Sequence, residues 1–130
     1  MYYLKFYDLM MLDYDGVSYD DLIKMLTPFA EEHYFEIHQT FNGYHVFVMS
    51  ELLNHRAPNS KELMIQLHCD HYYMMFCYAN GYKIRLSPKV GRQETFVSKP
   101  AGTFGNVTKL NSDCQKLLAI FLDRLKSNEQ

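Results

Sequence analysis

Apolar and polar residues alternate with a period of two along three stretches of the chain, the pattern of half-buried strands. In Phe-Glu-Ile-His-Gln-Thr, Phe35 and Ile37 fall on one face and Glu36, His38 and Thr40 on the other. Asn42-Gly43 follows, a strong two-residue hairpin signal. The returning run places Tyr44, Val46 and Val48 on one face and His45, Phe47 and Met49 on the other. From Tyr82 to Ser87, Tyr82, Ile84 and Leu86 alternate with Lys83, Arg85 and Ser87, and Pro88 ends the run. Tyr2 to Leu12 is instead rich in large apolar and aromatic residues and runs into Asp13-Tyr14-Asp15-Gly16. Its latter part therefore predicts a buried central strand.

Between these strands the period lengthens to that of a helix. Ser18 followed by Asp21 suggests a capping box, and Leu22, Ile23, Leu26, Phe29 and Ala30 recur at helical spacing. Pro28 either ends that helix near Met25 or restarts it with Thr27 as cap. Asn59 or Ser60 can cap a second helix carrying Leu63, Met64 and Leu67. Asp70 then reads as a further N-cap, with Tyr73, Met74, Phe76 and Cys77 continuing to the stop at Asn80-Gly81. Residues 89–110 show little periodicity and form the most basic segment, with Lys89, Arg92, Lys99 and Lys109, read as a functional loop or a poorly ordered one. Asn111 or Ser112 opens a last helix over 111–127, with Leu117, Leu118, Phe121 and Leu125 along one stripe.

The order strand, helix, strand, strand, helix, strand predicts an α+β chain: a ferredoxin-like, or RNA-recognition-motif-like, βαββαβ sheet over 1–88. Both helices would cover one face, and a C-terminal helix is added. The first and third strands would be central neighbours and the fourth would lie beside the first. The other sheet face would stay largely open and collect Asp13, Asp15, Glu36, His38, His45, Phe47, Lys83 and Arg85. A solvated sheet face is polar in any case. Three ionisable groups on adjacent central strands are the part that ordinary solvation explains least.

Composition narrows the classes. With 130 residues, 48% of them hydrophobic, the chain has apolar material for the core of one domain. A formal net charge of −2 gives no global field toward nucleic acid or anionic membrane, so such contact would need a local patch. Cys69, Cys77 and Cys114 are odd in number and match no metal-ligand spacing, as expected of reduced thiols in a cytoplasmic protein. They read as core residues. No signal-peptide layout opens the chain, and no apolar run is long enough to span a bilayer, so no membrane partner is expected.

The candidate chemistry starts at Asp13 and Asp15. If Met10 to Asp15 is a strand, the two carboxylates share a face and can hold a divalent ion. Asp-Tyr-Asp-Gly is equally good turn chemistry. His33, His55, His68 and His71 are scattered over helix ends and a loop and read as surface or capping groups. His38 lies across the hairpin from His45 as an outlying support. There is no glycine-rich phosphate loop and no Ser/His/Asp ordering.

The run ending Leu12-Asp13-Tyr14-Asp15, followed by Thr40-Phe41-Asn42-Gly43-Tyr44-His45-Val46-Phe47, resembles the first two motifs of the archaeo-eukaryotic primase superfamily, the primase-polymerase palm. Asp70 to Lys89, with Cys69-Asp70 and Arg85-Leu86-Ser87-Pro88-Lys89, also looks like short uncharacterised viral and bacterial proteins sharing this hairpin. The likeness covers about residues 8–89. It implies that Asp13 and Asp15 bind Mg²⁺ or Mn²⁺, and that Gly43-Tyr44-His45 contacts the phosphates of a nucleotide. Arg85 on the same face, with Lys83 and Lys89, would add phosphate contacts. The sequence departs from the family where a later strand should supply a third acid, since Tyr82 to Ser87 offers Lys83 and Arg85 instead. The extra N-terminal module that usually accompanies a working primase is not expected within these 130 residues.

Two functions follow as expectations. One is a reduced primase-palm-like protein of DNA replication that binds a divalent metal with nucleotide or nucleic acid; its activity, if retained, would be nucleotidyl transfer. The other is a non-catalytic module that binds nucleic acid or a protein through the open sheet face or the basic loop. The apolar final helix could also dock a protein partner.

Overall fold

The computed structural model describes residues 2–88 and 96–128, the side chain of Asn128 excepted. The chain folds as β1 (Tyr3–Phe6), β2 (Met11–Asp15), α1 (Tyr19–Leu26), β3 (Tyr34–Thr40), β4 (Gly43–Val48), α2 (Pro58–Gln66), α3 (His71–Asn80), β5 (Tyr82–Arg85), β6 (Ser98–Gly105) and α4 (Ser112–Asn128). This is an α+β fold with two antiparallel sheets. The larger has the strand order β2-β4-β3-β6 and the smaller pairs β1 with β5.

Local chemistry accounts for several helix ends. Ser18 accepts a hydrogen bond from the Asp21 N–H and starts α1. Beyond Leu26 the chain tightens into a 3₁₀ turn, Thr27–Phe29, which accommodates Pro28 near its start. Asp70 accepts from the Tyr73 N–H and caps α3, which Gly81 ends in a left-handed conformation, φ 84°. At α2 neither Asn59 nor Ser60 is the cap. Ala57 precedes the helix, and Pro58, lacking an N–H to satisfy, takes the first turn.

Three expectations are corrected. The first concerns Tyr82 to Ser87, whose strand does not lie beside the Asp13 strand. The chain splits at Tyr7 and Asp8, whose carbonyls accept from the His55 and Leu53 N–H groups at 2.9 and 2.8 Å. That break frees Tyr3–Phe6 to pair with β5 in a sheet of its own, Tyr3 opposite Arg85 and Lys5 opposite Lys83. It also leaves β2 at the edge of the larger sheet, with β4 and β3 central.

The second concerns the face expected to be open. Strand alternation puts Leu12, Val46, Val48, Phe35 and Ile37 on one side, where all five are buried. Tyr14 on that side donates to the Leu67 carbonyl at the end of α2, and Tyr44 meets Tyr19 at the start of α1. On the opposite side Met11, His38, His45 and Phe47 are buried too. Phe121 of α4 packs there against Phe47 and His38, at ring-centre separations of 5.7 and 6.2 Å. The buried stripe Cys114, Leu118, Phe121 and Leu125 needs an apolar counterpart, and half of that face provides it.

The third concerns the basic segment. Ser98–Gly105 is not a loop but the strand β6 on β3, and it reads poorly as one because Pro100 and two glycines depress strand propensity. Pro100 is tolerated at an edge strand, where a shift in pairing between Ile37 and His38 absorbs it. Lys99 rests on the Phe96 ring, 4.3 Å from its centre. Residues 89–95, with Lys89 and Arg92, lie outside the described residues.

Candidate functional site

On the larger sheet, the half of the His45 face that α4 leaves uncovered carries a cleft of about 390 Å³. Asp13 and Asp15 reach it from β2, His45 from β4, and Lys83 and Arg85 from β5. Thr40, Phe41 and Asn42 of the β3–β4 turn and Tyr73 and Phe76 of α3 complete its walls with Tyr3 and Met11. Five of the six residues singled out from sequence thus share one cavity, and the sixth, Lys89, lies outside the described residues. Glu36 and His38 belong to the same sheet face but do not line the cleft.

The pairing explains how the acids and the histidine meet. Asp13 is opposite His45, and Asp15 is opposite Gly43. A side chain at position 43 has no room: a Cβ there would lie 1.9 Å from the Tyr14 carbonyl oxygen. Glycine therefore lets β4 approach β2 closely at the level of the two carboxylates. Gly16, at φ 70°, turns the chain away after Asp15 and donates to the Asn42 carbonyl at 2.8 Å. The sequence Asp-x-Asp-Gly followed by Asn-Gly is thus a closed corner of the sheet.

Electrostatics divide the roles. His45 Nε2 is 3.5 Å from Asp13 Oδ1, an ion-pair distance longer than a well-made charged hydrogen bond. Burial, then His38 and Arg85, lowers the His45 pKa from 6.5 to about 3. At neutral pH the ring is uncharged. An uncharged ring cannot neutralise an anion, and the cations that line the cleft are Lys83 and Arg85. Lys83 Nζ sits 4.6 Å from the Tyr3 ring centre and 5.9 Å from that of Phe76, held by two aromatic faces at the cleft wall.

Sequence reasoning missed the aromatic walls. Phe41 is exposed at the hairpin turn and carried a readable signal, an aromatic residue where solvent-facing turn chemistry was expected. Tyr3, Tyr73 and Phe76 carried none, because tertiary packing alone brings β1 and α3 to this place. Tyr73 donates to the Met11 carbonyl at 2.6 Å and ties α3 to the edge strand β2.

Among the described residues, no three or more His, Cys, Asp or Glu side chains gather as a protein-only metal site needs. Asp13 and Asp15 alone match the donor set of Mg²⁺ or Mn²⁺, which keep several waters and take further oxygens from a ligand's phosphates. Asp70 caps α3 and does not line the cleft, so it supplies no third acid there. Burial raises the thiol pKa of Cys69 to about 12 and of Cys77 and Cys114 to about 11, so none is a ready nucleophile. His33 pairs with Ser50 and His55 with the Cys77 carbonyl, in line with local structural roles. Among the described residues no helix is long and apolar enough to cross a membrane. No protein-family model, curated protein or solved structure matches the chain.

Proposed function

We propose that the cleft binds a divalent cation together with the phosphates of a nucleotide or nucleic acid, in the manner of a reduced primase-polymerase palm. The observation that carries this reading is the convergence of two carboxylates from β2 and two cations from β5 on one cavity. A site for a phosphate alone would not gain from Asp13 and Asp15, and a site for a metal alone would not gain from Lys83 and Arg85. A metal-bound phosphate uses both. Aromatic walls suit a base. The ligand set stops at two acids, so binding is the proposed activity, and nucleotidyl transfer is its extension only if the ligand supplies the remaining metal contacts.

Titration of Mn²⁺ into the protein, alone and with ATP, tests this directly. Saturable Mn²⁺ binding that ATP tightens is the expected result. Asp13→Asn with Asp15→Asn should abolish it while leaving stability within about 1 kcal/mol of the parent or above it, since Asp13 is 36% exposed and Asp15 is exposed. A double variant that binds Mn²⁺ as well as the parent overturns the proposal.

Arg85→Ala should weaken ATP binding by about 1–3 kcal/mol, the cost of one charge-assisted hydrogen bond. The salt dependence of a bound oligonucleotide should fall as well, because one phosphate contact is lost. An Arg85→Ala protein that melts lower but binds ATP unchanged would make the guanidinium a structural partner of the sheet.

A further inference from the structure

A second surface lies on the outer side of α2 and α3, away from the cleft. α3 reads His-Tyr-Tyr-Met-Met-Phe-Cys-Tyr-Ala-Asn, with no Asp, Glu, Lys or Arg in ten residues. Only Met74 and Cys77 of it are buried, while Tyr72 is 80% exposed, Met75 56% and Tyr78 54%. A helix apolar around its whole circumference normally lies inside a protein. Here half of that circumference faces outward, and with Met64 of α2 it forms a groove of about 420 Å³. Methionines line such grooves where a helix docks, because their unbranched side chains repack around different apolar anchors.

The charges at the groove are of one sign. Lys61 lines it together with His55 and His71, and among the described residues no carboxylate does. Arg56 flanks it, its guanidinium 5.7 Å from the centre of the Tyr78 ring and its Nε donating to the Tyr78 carbonyl. Glu62, the next residue along α2, faces a different cavity with Glu32, Glu51 and Lys109, and Asp70 is taken up in the α3 cap. The two charged residues of α2 thus part: Lys61 lines the apolar groove and Glu62 does not.

We infer that this groove docks an acidic amphipathic helix of a protein partner, its apolar side chains seated between α2 and α3 and its carboxylates meeting Lys61 and Arg56. The charge pattern also decides against a second copy of the chain on the same face. A two-fold pairing of identical grooves would set Lys61 and Arg56 against their own counterparts. The acidic start of α1 in another copy is not available either, since its apolar residues Leu22 and Leu26 are buried in the fold.

The test uses a fluorescent 16-residue probe helix with leucines at i, i+3, i+4 and i+7 spacing and glutamates elsewhere, beside the same peptide with lysine in place of glutamate. The full chain should bind the acidic probe and not the lysine one. Met75→Ser and Tyr78→Ser, both at exposed positions, should each weaken binding at least tenfold, and Lys61→Glu about tenfold, with unchanged melting temperatures. Mn²⁺ and ATP binding at the cleft should stay as in the parent, so a failure here is separable from a failure there. The inference is overturned by no binding of the acidic probe, by equal binding of the lysine probe, or by a dimer in sedimentation that Met75→Ser dissolves. Co-sedimentation with anionic vesicles that Lys61→Glu abolishes, with no probe binding, would assign the surface to lipid and overturn it too.

Discussion

Gly43→Ala is expected to lower stability by about 3 kcal/mol, at the upper end of the cost of forcing atoms into a packed site. For a chain of this size that corresponds to a fall of roughly 10 °C in melting temperature. The added Cβ would meet three backbone atoms, the Tyr14 carbonyl oxygen at 1.9 Å, its carbon at 2.9 Å and Asp15 Cα at 3.0 Å. No side-chain rotation relieves a clash with backbone. Tyr14 cannot yield easily, because its hydroxyl is fixed to the Leu67 carbonyl at 2.8 Å. β4 must then separate from β2 at the level of Asp13 and Asp15, and Mn²⁺ affinity should fall with stability. Gly16→Ala is the control: its φ of 70° strains a larger residue, yet a Cβ there meets nothing within 4 Å. It should cost only about 1 kcal/mol, the usual strain of a left-handed non-glycine residue. Thermal unfolding of both variants checks the pair, and a Gly43→Ala protein melting within a few degrees of the parent would show that the strands are not in close approach.

What could be read from the chain followed the range of the interactions responsible. Ser18, Asp70 and Gly81 act within four residues of themselves, so their capping roles are visible in sequence and present in the structure. The Asn42-Gly43 hairpin is equally local, and it sets His38 opposite His45; Asp13 comes opposite His45 through the pairing of β2 with β4, which no turn joins. Placing Asp13 beside His45 therefore required the strand order of the split βαββαβ arrangement as well as the alternation. Lys83 and Arg85 reach the same cleft by a different route from the one expected: the strand carrying them pairs with β1 and not with β2. Alternation alone does not reveal this, because Tyr2 to Leu12 reads as one apolar stretch. The break in it comes from carbonyls at Tyr7 and Asp8 that bond to residues more than 40 positions away.

The buried histidines illustrate the opposite limit. His38 occupies a polar position in a clean alternation and looks solvent-facing, yet it is fully buried between Phe47 and Phe121. The residue that covers it lies 83 positions further on, in a helix whose apolar stripe gives no sign of which surface it seeks. Neither His38 ring nitrogen makes a hydrogen bond among the described residues, and Glu36 approaches Nε2 only to 3.5 Å. β6 was hidden for a related reason: edge strands carry Pro, Gly and Lys to discourage pairing with other chains, and those residues read as loop.

Acidification should expose the cost of burying His45. With its N–H on Nε2 the ring faces Asp13, and Nδ1 is then a buried acceptor with no hydrogen-bond partner among the described residues. A second proton would have to sit on that nitrogen, cut off from water, which is why burial is the largest cause of the lowered pKa. The unfolded chain takes up this proton near pH 6.5, whereas the folded one does so only near pH 3. The unfolded state therefore binds more protons across that window, and stability is full above about pH 6.5 and declines as the pH falls toward 3. Between pH 7 and pH 4 the contribution of His45 alone amounts to about 3 kcal/mol, at 1.36 kcal/mol per pKa unit. His45→Gln removes the titrating group, so its own loss over the same interval should be smaller than the parent's by about that amount. Its stability at pH 7 is immaterial to the comparison. Urea unfolding of both proteins at pH 7 and pH 4 measures the difference, with the carboxylates common to both chains cancelling between them. Equal losses in the two proteins would mean that His45 is hydrated in solution and free to protonate, and that the cleft floor is open to water.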